Sequence, residues 1–201
     1  MDKFLIVGIT LPNFYPGESR RIIRLLEGSA GVEGMLRADY IHIRKPGASC
    51  YQIRSLIEEI PSDLHQRLTL HDHASLADDF AIGGIHLNSR QQAQDCPLNE
   101  EVRISASLHS IAQLLGREPI CGLSDRFRLS YVTLSPILPS ISKAGYMPTM
   151  NDQEIDEALR RSELPVVALG GVRPENLTSL HERGFAGAAM SGALFMFGDF
   201  D

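Results

Sequence analysis

The sequence contains no tryptophan, only three cysteines, and aromatic residues at 6% of its 201 positions. Cys50, Cys96 and Cys121 are an odd number, widely spaced and without a Cys-x-x-Cys pair, which excludes a disulfide framework and a cysteine metal knuckle. They read as reduced thiols, buried or idle, in a cytoplasmic protein. Positive charge is not in excess either. With 19 basic and 25 acidic residues the formal charge is −6, so the footprint of a nucleic-acid binder or of a protein held on an anionic membrane is missing. Long hydrophobic runs are also lacking: Phe4–Thr10 is too short to span a bilayer and is followed by no plausible cleavage site, which again points to the cytosol.

What is present is the composition of a globular domain, 43% apolar and 22% charged. A chain of this length buries roughly 70% of its unfolded surface and needs no staple to hold a core. Short runs rich in Val, Ile and Leu recur at Phe4–Thr10, Tyr40–Lys45, Leu68–Asp72, Gly84–Asn88, Ile104–His109, Leu129–Ser135, Val166–Gly170 and Gly187–Ser191. Amphipathic helical patterns lie between them, at Glu18–Gly28, Ser49–Ile60, Asp152–Ser162 and Glu175–Gly184, the last opened by Pro174 and closed by glycine. Strand-helix alternation implies a parallel sheet with crossover helices, and eight units of about 25 residues are the arithmetic of a compact (β/α)8 TIM barrel. Residues 1–201 read as one such domain. Only Ala193–Phe197 remain to form the final helix, which is therefore short or missing, and a homo-oligomer in which a second copy covers that place is compatible with the pattern. Ser135–Met150, with three prolines and no apolar period, reads as a long loop of the kind that covers an active site.

Barrel strands alternate between the interior and the helix layer, so the apolar parity of each run shows which side chains point inward. Ile41 and Ile43 suit the helix layer and aim His42 and Arg44 inward. By the same rule Thr69 and His71, then Gly84, His86 and Asn88, then Ser105, Ser107 and His109, then Tyr131, Thr133 and Ser135 face the interior. Four histidines thus converge on the C-terminal ends of the strands, where barrel enzymes carry their sites. Unpartnered polar groups cost on the order of 1–3 kcal/mol each when desolvated, so packing alone does not favour so many of them. A second signal is the Gly170-Gly171 pair after strand seven and the Ser191-Gly192 turn after strand eight, which expose backbone N–H groups where this architecture usually binds phosphate.

These motifs, taken together, resemble the thiamine phosphate synthase and TenI superfamily across essentially the whole chain. Tyr40-Ile41-His42-Ile43-Arg44 is similar to a TenI strand, and Ser107-Leu108-His109 matches a Ser-x-His after strand five. Ser135-Pro136-Ile137-Leu138-Pro139-Ser140-Ile141-Ser142-Lys143 resembles a Gly-Pro-x-Phe-x-Thr-x-Thr-Lys loop, and Pro165–Val172, Asn176 and Met190-Ser191-Gly192 complete the set. The resemblance implies a small-molecule thiazole phosphate as partner. A synthase is expected to carry Gln-x-Arg-Glu-Lys, Asn-Asp-Arg and Gly-Gln-x-Asp, with two carboxylates for Mg2+. Here the segments read His42-Ile43-Arg44-Lys45-Pro46, His71-Asp72-His73 and Asn88-Ser89-Arg90-Gln91, so Asp72 is the one metal carboxylate left, and Lys45 or Arg90 would have to serve the diphosphate.

The departures favour the TenI branch, in which the resemblance implies a metal-independent tautomerisation of a thiazole carboxylate phosphate with no cofactor. His109 then stands as proton carrier beside Ser107, His42, Arg44, His71, Asn88, Ser140, Ser142 and Lys143 contact substrate, and Gly170, Gly171, Ser191 and Gly192 take the phosphate. The alternative is a Mg2+-dependent thiamine phosphate synthase using Asp72. More distant are a non-catalytic TenI-like binding protein and a barrel hydrolase whose metal ligands are His42, His71, His73, His86 and Asp72.

Overall fold

The computed structural model describes residues 3–28, 36–88, 102–123, 128–139 and 150–196. Eight parallel strands close on themselves in sequence order: β1 (Leu5–Ile9), β2 (Tyr40–Ile43), β3 (Leu68–Leu70), β4 (Gly84–Leu87), β5 (Arg103–Leu108), β6 (Tyr131–Leu134), β7 (Val166–Leu169) and β8 (Gly187–Met190). β1 joins β8 with Leu5 opposite Gly187 and Gly8 opposite Met190, so the expected (β/α)8 barrel is complete and leaves no sheet edge.

Around it lie α1 (Glu18–Glu27), α2 (Cys50–Glu58), α3 (Leu76–Phe80), α4 (Ile111–Leu114), α5 (Asp152–Arg161), α6 (Leu177–Glu182) and α7 (Gly192–Phe195), together with a 3-10 segment at Ser62–Arg67. α1 buries Ile22, Leu25 and Leu26, one stripe at helical spacing. A reciprocal capping box between Ser49 and Gln52 starts α2. Asn151 caps α5, whose first turn carries Asp152 and Glu154 and whose last carries Arg160 and Arg161, in the sense the helix dipole favours. The final helix α7 has four residues. Among the described residues no helix is long and apolar enough to cross a membrane. Cys50 and Cys121 are free and exposed, where buried or idle thiols were expected, and Cys96 lies outside the described residues.

Two apolar clusters confirm the parity of the strands. Ile41, Ile43, Leu68, Leu70, Ile85, Leu87, Ile104, Ala106, Leu108, Val132 and Leu134 belong to the large cluster between barrel and helices. Inside the barrel, Val7, Ile9, Tyr131, Val167 and Ala189 form a second cluster, with Tyr40 and Leu169 against it. The interior is therefore divided. β1, β7 and β8 line it with apolar side chains, while β2 to β5 supply His42, Thr69, His86 and Ser105, all 2% exposed or less.

Candidate active site at the barrel mouth

The polar half of the interior is built on four consecutive strands. His42, third residue of β2, directs Nδ1 to Nε2 of His71 at 2.9 Å and Nε2 to the Tyr131 hydroxyl at 2.6 Å. His71 follows the last residue of β3, and its ring stacks on that of His86 with centroids 4.2 Å apart and 20° between planes. His86, on β4, lies between two hydroxyls: Nδ1 is 2.9 Å from Ser105 Oγ, and Nε2 is 2.7 Å from Ser107 Oγ. Ser105 donates to the Ile85 carbonyl, and Thr133 donates to Ser107 Oγ at 3.2 Å. These directions are consistent with a proton on His86 Nδ1 and a lone pair on Nε2 that accepts from Ser107.

Burial sets the charge state of this cluster. Desolvation pushes His86 down to about 3, with the positive charges of Arg44 and His109 adding to the effect. Burial likewise holds His42 well below the usual histidine range, helped by His86 and Arg103. The Tyr131 hydroxyl is pushed up to about 12 by burial, so it stays neutral. The His42 and His86 imidazoles and the Tyr131 hydroxyl are therefore neutral at neutral pH.

At the rim, Arg44 lies half-buried past the end of β2, with its N–H donated to Thr10 Oγ1 at 2.9 Å. His109 is exposed just past β5; Ser135 Oγ stands 3.2 Å from its Nδ1 and the Ser135 carbonyl 3.4 Å. Asn88 donates Nδ2 to the carbonyls of His71 at 2.7 Å and His86 at 3.2 Å, so it fastens β3 to β4. Among the described residues Asp72 belongs to no group of three or more metal-ligating side chains.

Several expectations change. Lys45 does not serve a diphosphate: it has outward parity, is 1% exposed, and binds Glu18 Oε1 at 2.6 Å and the carbonyls of Leu11 and Asn13 at 2.8 and 2.9 Å. His73 does not join His71, because the strand has ended and His73 takes a left-handed φ of 59°; its Nε2 meets the Ala48 carbonyl at 2.8 Å. That removes the His-x-His pair on which the hydrolase reading rested. Gly170 and Gly171 have φ of 92° and 68°, and a Cβ on Gly171 would stand 2.2 Å from the Pro139 carbonyl oxygen. The glycine pair is thus required by the approach of residues 136–139, whose Ile137 and Leu138 N–H groups bond the Leu169 and Gly170 carbonyls. The N–H groups of Gly171, Gly192 and Ala193 donate to no acceptor among the described residues. Asn176 accepts from Arg173 N–H at 2.9 Å and so caps its turn. Ser140, Ser142, Lys143, Arg90 and Gln91 lie outside the described residues.

Two placements of charged residues escaped the sequence. Glu18 reads as an ordinary first-turn carboxylate, yet it is 2% exposed beneath Lys45. Arg103 opens β5 one residue before the expected start and stacks its guanidinium 4.0 Å over the Tyr40 ring, at the opposite end of the strand from His109. A basic residue before an apolar run carries no signal of inward parity.

A closed parallel barrel with a polar mouth, and glycine turns after β7 and β8, defines a (β/α)8 protein of the class that carries its site on the C-terminal face. The chain belongs to the family described as Thiamine monophosphate synthase, whose model matches residues 23–194. It is 26% identical over 187 residues to the thiamine-phosphate synthase of Caldicellulosiruptor bescii, covering 88% of this chain and 77% of that one. The thiamine-phosphate synthase of Syntrophomonas wolfei is likewise 26% identical over 188 residues, covering 85% of this chain and 83% of the other. Among solved structures, thiamine phosphate pyrophosphorylase from Bacteroides thetaiotaomicron superposes with a TM-score of 0.73 at 31% identity, covering 98% of this chain and 87% of that chain. These names favour the synthase alternative over the tautomerase that the motifs suggested.

Proposed function

We propose that this chain catalyses a step of thiamin biosynthesis, the coupling of a thiazole phosphate to hydroxymethylpyrimidine diphosphate with release of diphosphate. The observation that carries the reading is the 31% identity over 98% of the chain to a protein named thiamine phosphate pyrophosphorylase. In this reading the N–H groups of Gly171, Gly192 and Ala193, with the Ser191 hydroxyl, hold the thiazole phosphate after β7 and β8. Arg44 faces the mouth from β2 and, with Lys143, Ser140 and Ser142 of the loop after β6, offsets charge on the departing diphosphate. The apolar wall of Val7, Ile9, Val167 and Ala189 gives the aromatic rings a dry surface.

Magnesium is the ion such a reaction implies, and the described residues do not by themselves suit it. A hard dication wants a shell of oxygens. Among the described residues Asp72 joins no group of three or more ligating side chains, and the one convergent set is three imidazoles. No role for a metal is therefore assigned to these side chains, and the assay below supplies the ion.

A second reading, metal-independent tautomerisation of a thiazole carboxylate phosphate, is favoured by one observation: the exposed His109 imidazole stands at the mouth with Nδ1 beside Ser135. A positioned imidazole can take a ring proton and return it to a neighbouring atom. Separate incubations decide between the two. One contains thiazole phosphate, pyrimidine diphosphate and magnesium; the other contains only the pre-aromatic thiazole carboxylate phosphate. Thiamine phosphate in the first supports the synthase. Conversion in the second alone supports the tautomerase.

A further inference from the structure

The cluster of His42, His71 and His86 exceeds what either reaction asks of it. The three come from adjacent strands, are 0%, 5% and 2% exposed, and each offers a ring nitrogen within 4.8 Å of the other two. A residue whose only task is to fill a barrel interior need not be an imidazole, and three together forgo the apolar packing seen across the interior at Val7, Val167 and Ala189.

We propose that these histidines form a binding site for one borderline transition-metal ion of the zinc and cobalt class, set in the barrel floor below the mouth and apart from the phosphate turns of β7 and β8. The donor set is the argument. Neutral imidazole suits such ions and suits magnesium poorly. The cluster also has a ready outer shell: the Tyr131 hydroxyl holds His42 Nε2 and leaves Nδ1 turned to His71, while Ser105 holds His86 Nδ1 and Ser107 Oγ sits 2.7 Å from Nε2, so an ion bound at Nε2 would displace the Ser107 hydroxyl. His71 contributes Nε2, already 2.9 Å from His42 Nδ1.

Tetrahedral coordination with bonds of about 2.0–2.1 Å puts ligand atoms about 3.3 Å apart. The His42–His71 pair would open by a few tenths of an ångström, and the widest separation in the set, at most 4.8 Å, would close by about 1.5 Å. Because the His71 and His86 rings are stacked, one must turn to bring the ion into its plane. His71 follows the last residue of β3 and is the most exposed of the three, so the turn falls to it.

The test is cobalt titration of the chelator-treated protein. One equivalent of Co2+ should give the visible absorption of a low-coordinate nitrogen site, and Zn2+ should displace it. His71→Asn should abolish the band while leaving the far-UV circular dichroism unchanged, and His73→Asn and His181→Asn should retain it. Because His42 and His86 lie in the core, thermal melting of the unmodified protein supplies a second readout. Zn2+ at about a hundredfold excess over its dissociation constant should raise Tm by roughly 5 °C or more, and the rise should vanish in His71→Asn. Absence of a cobalt band in the unmodified protein, its survival in His71→Asn, or its loss in His73→Asn overturns the proposal.

Discussion

His86 lies between Ser105 and Ser107 with both ring nitrogens occupied, and its burial writes a pH dependence into the stability of the protein. In the unfolded chain a histidine titrates near 6.5, whereas here desolvation lowers it to about 3. Between those values the unfolded state binds the proton and the folded state does not, so stability rises with pH across that window. It is complete above about pH 6.5 and is lost as pH falls toward 3, and His42 pushes in the same direction. Urea midpoints should therefore drop steeply between pH 7 and pH 4.5, and His86→Gln should flatten that slope. Equal slopes in the two proteins would show that the buried imidazole does not set the dependence. Arg44 makes a second prediction at this scale. A hydrogen bond to a charged group contributes about 1.5–3 kcal/mol, so Arg44→Gln should lower kcat/KM roughly 10- to 100-fold while the fold persists. Steady-state kinetics within about twofold of the unmodified protein would remove Arg44 from the site.

At the scale of elements, β2 is tied to the loop before α1 by a buried clasp. Lys45, after β2, reaches Glu18 at the start of α1 and the carbonyls of Leu11 and Asn13, under the Phe14 ring 4.7 Å away. Removing one partner of such a pair leaves an uncompensated buried charge and costs about 3–5 kcal/mol. Lys45→Met should show that loss in urea denaturation, and the double variant Lys45→Met, Glu18→Leu should recover a good part of it. Additive losses would contradict the clasp. Across the mouth, Gly171→Ala should destabilise the turn after β7, since the added methyl meets the Pro139 carbonyl and the residue must hold a φ of 68°. A loss of about 1 kcal/mol or more in the same measurement is expected.

These elements also show how far the residues alone could be read. The alternation of Ile and Leu in Tyr40–Lys45, Leu68–Asp72 and Gly84–Asn88 was enough to point His42, His71 and His86 inward, because a buried strand has a strict period of two. The rule has no hold on Asp72-His73, where the strand has stopped at Leu70 and a left-handed residue redirects the chain. Glu18 and Lys45 are 27 positions apart, and nothing local marks either as buried. The glycine pair after β7 was legible as a turn, but the segment that presses on it, residues 136–139, is brought there by the strand order and not by any neighbouring residue.

On the scale of the whole molecule, the barrel joins an apolar wall on β1, β7 and β8 to a polar wall on β2 to β5, with Arg44 and His109 just past the ends of β2 and β5. That division suits a substrate with an apolar ring and an anionic group, as in the proposed reaction. The most direct test is product analysis by liquid chromatography and mass spectrometry, after incubation of the purified protein with thiazole phosphate, hydroxymethylpyrimidine diphosphate and magnesium. The account predicts thiamine phosphate formed over many turnovers, with diphosphate released in equal amount. Failure to form thiamine phosphate, in a sample that converts the pre-aromatic thiazole carboxylate phosphate, would contradict it.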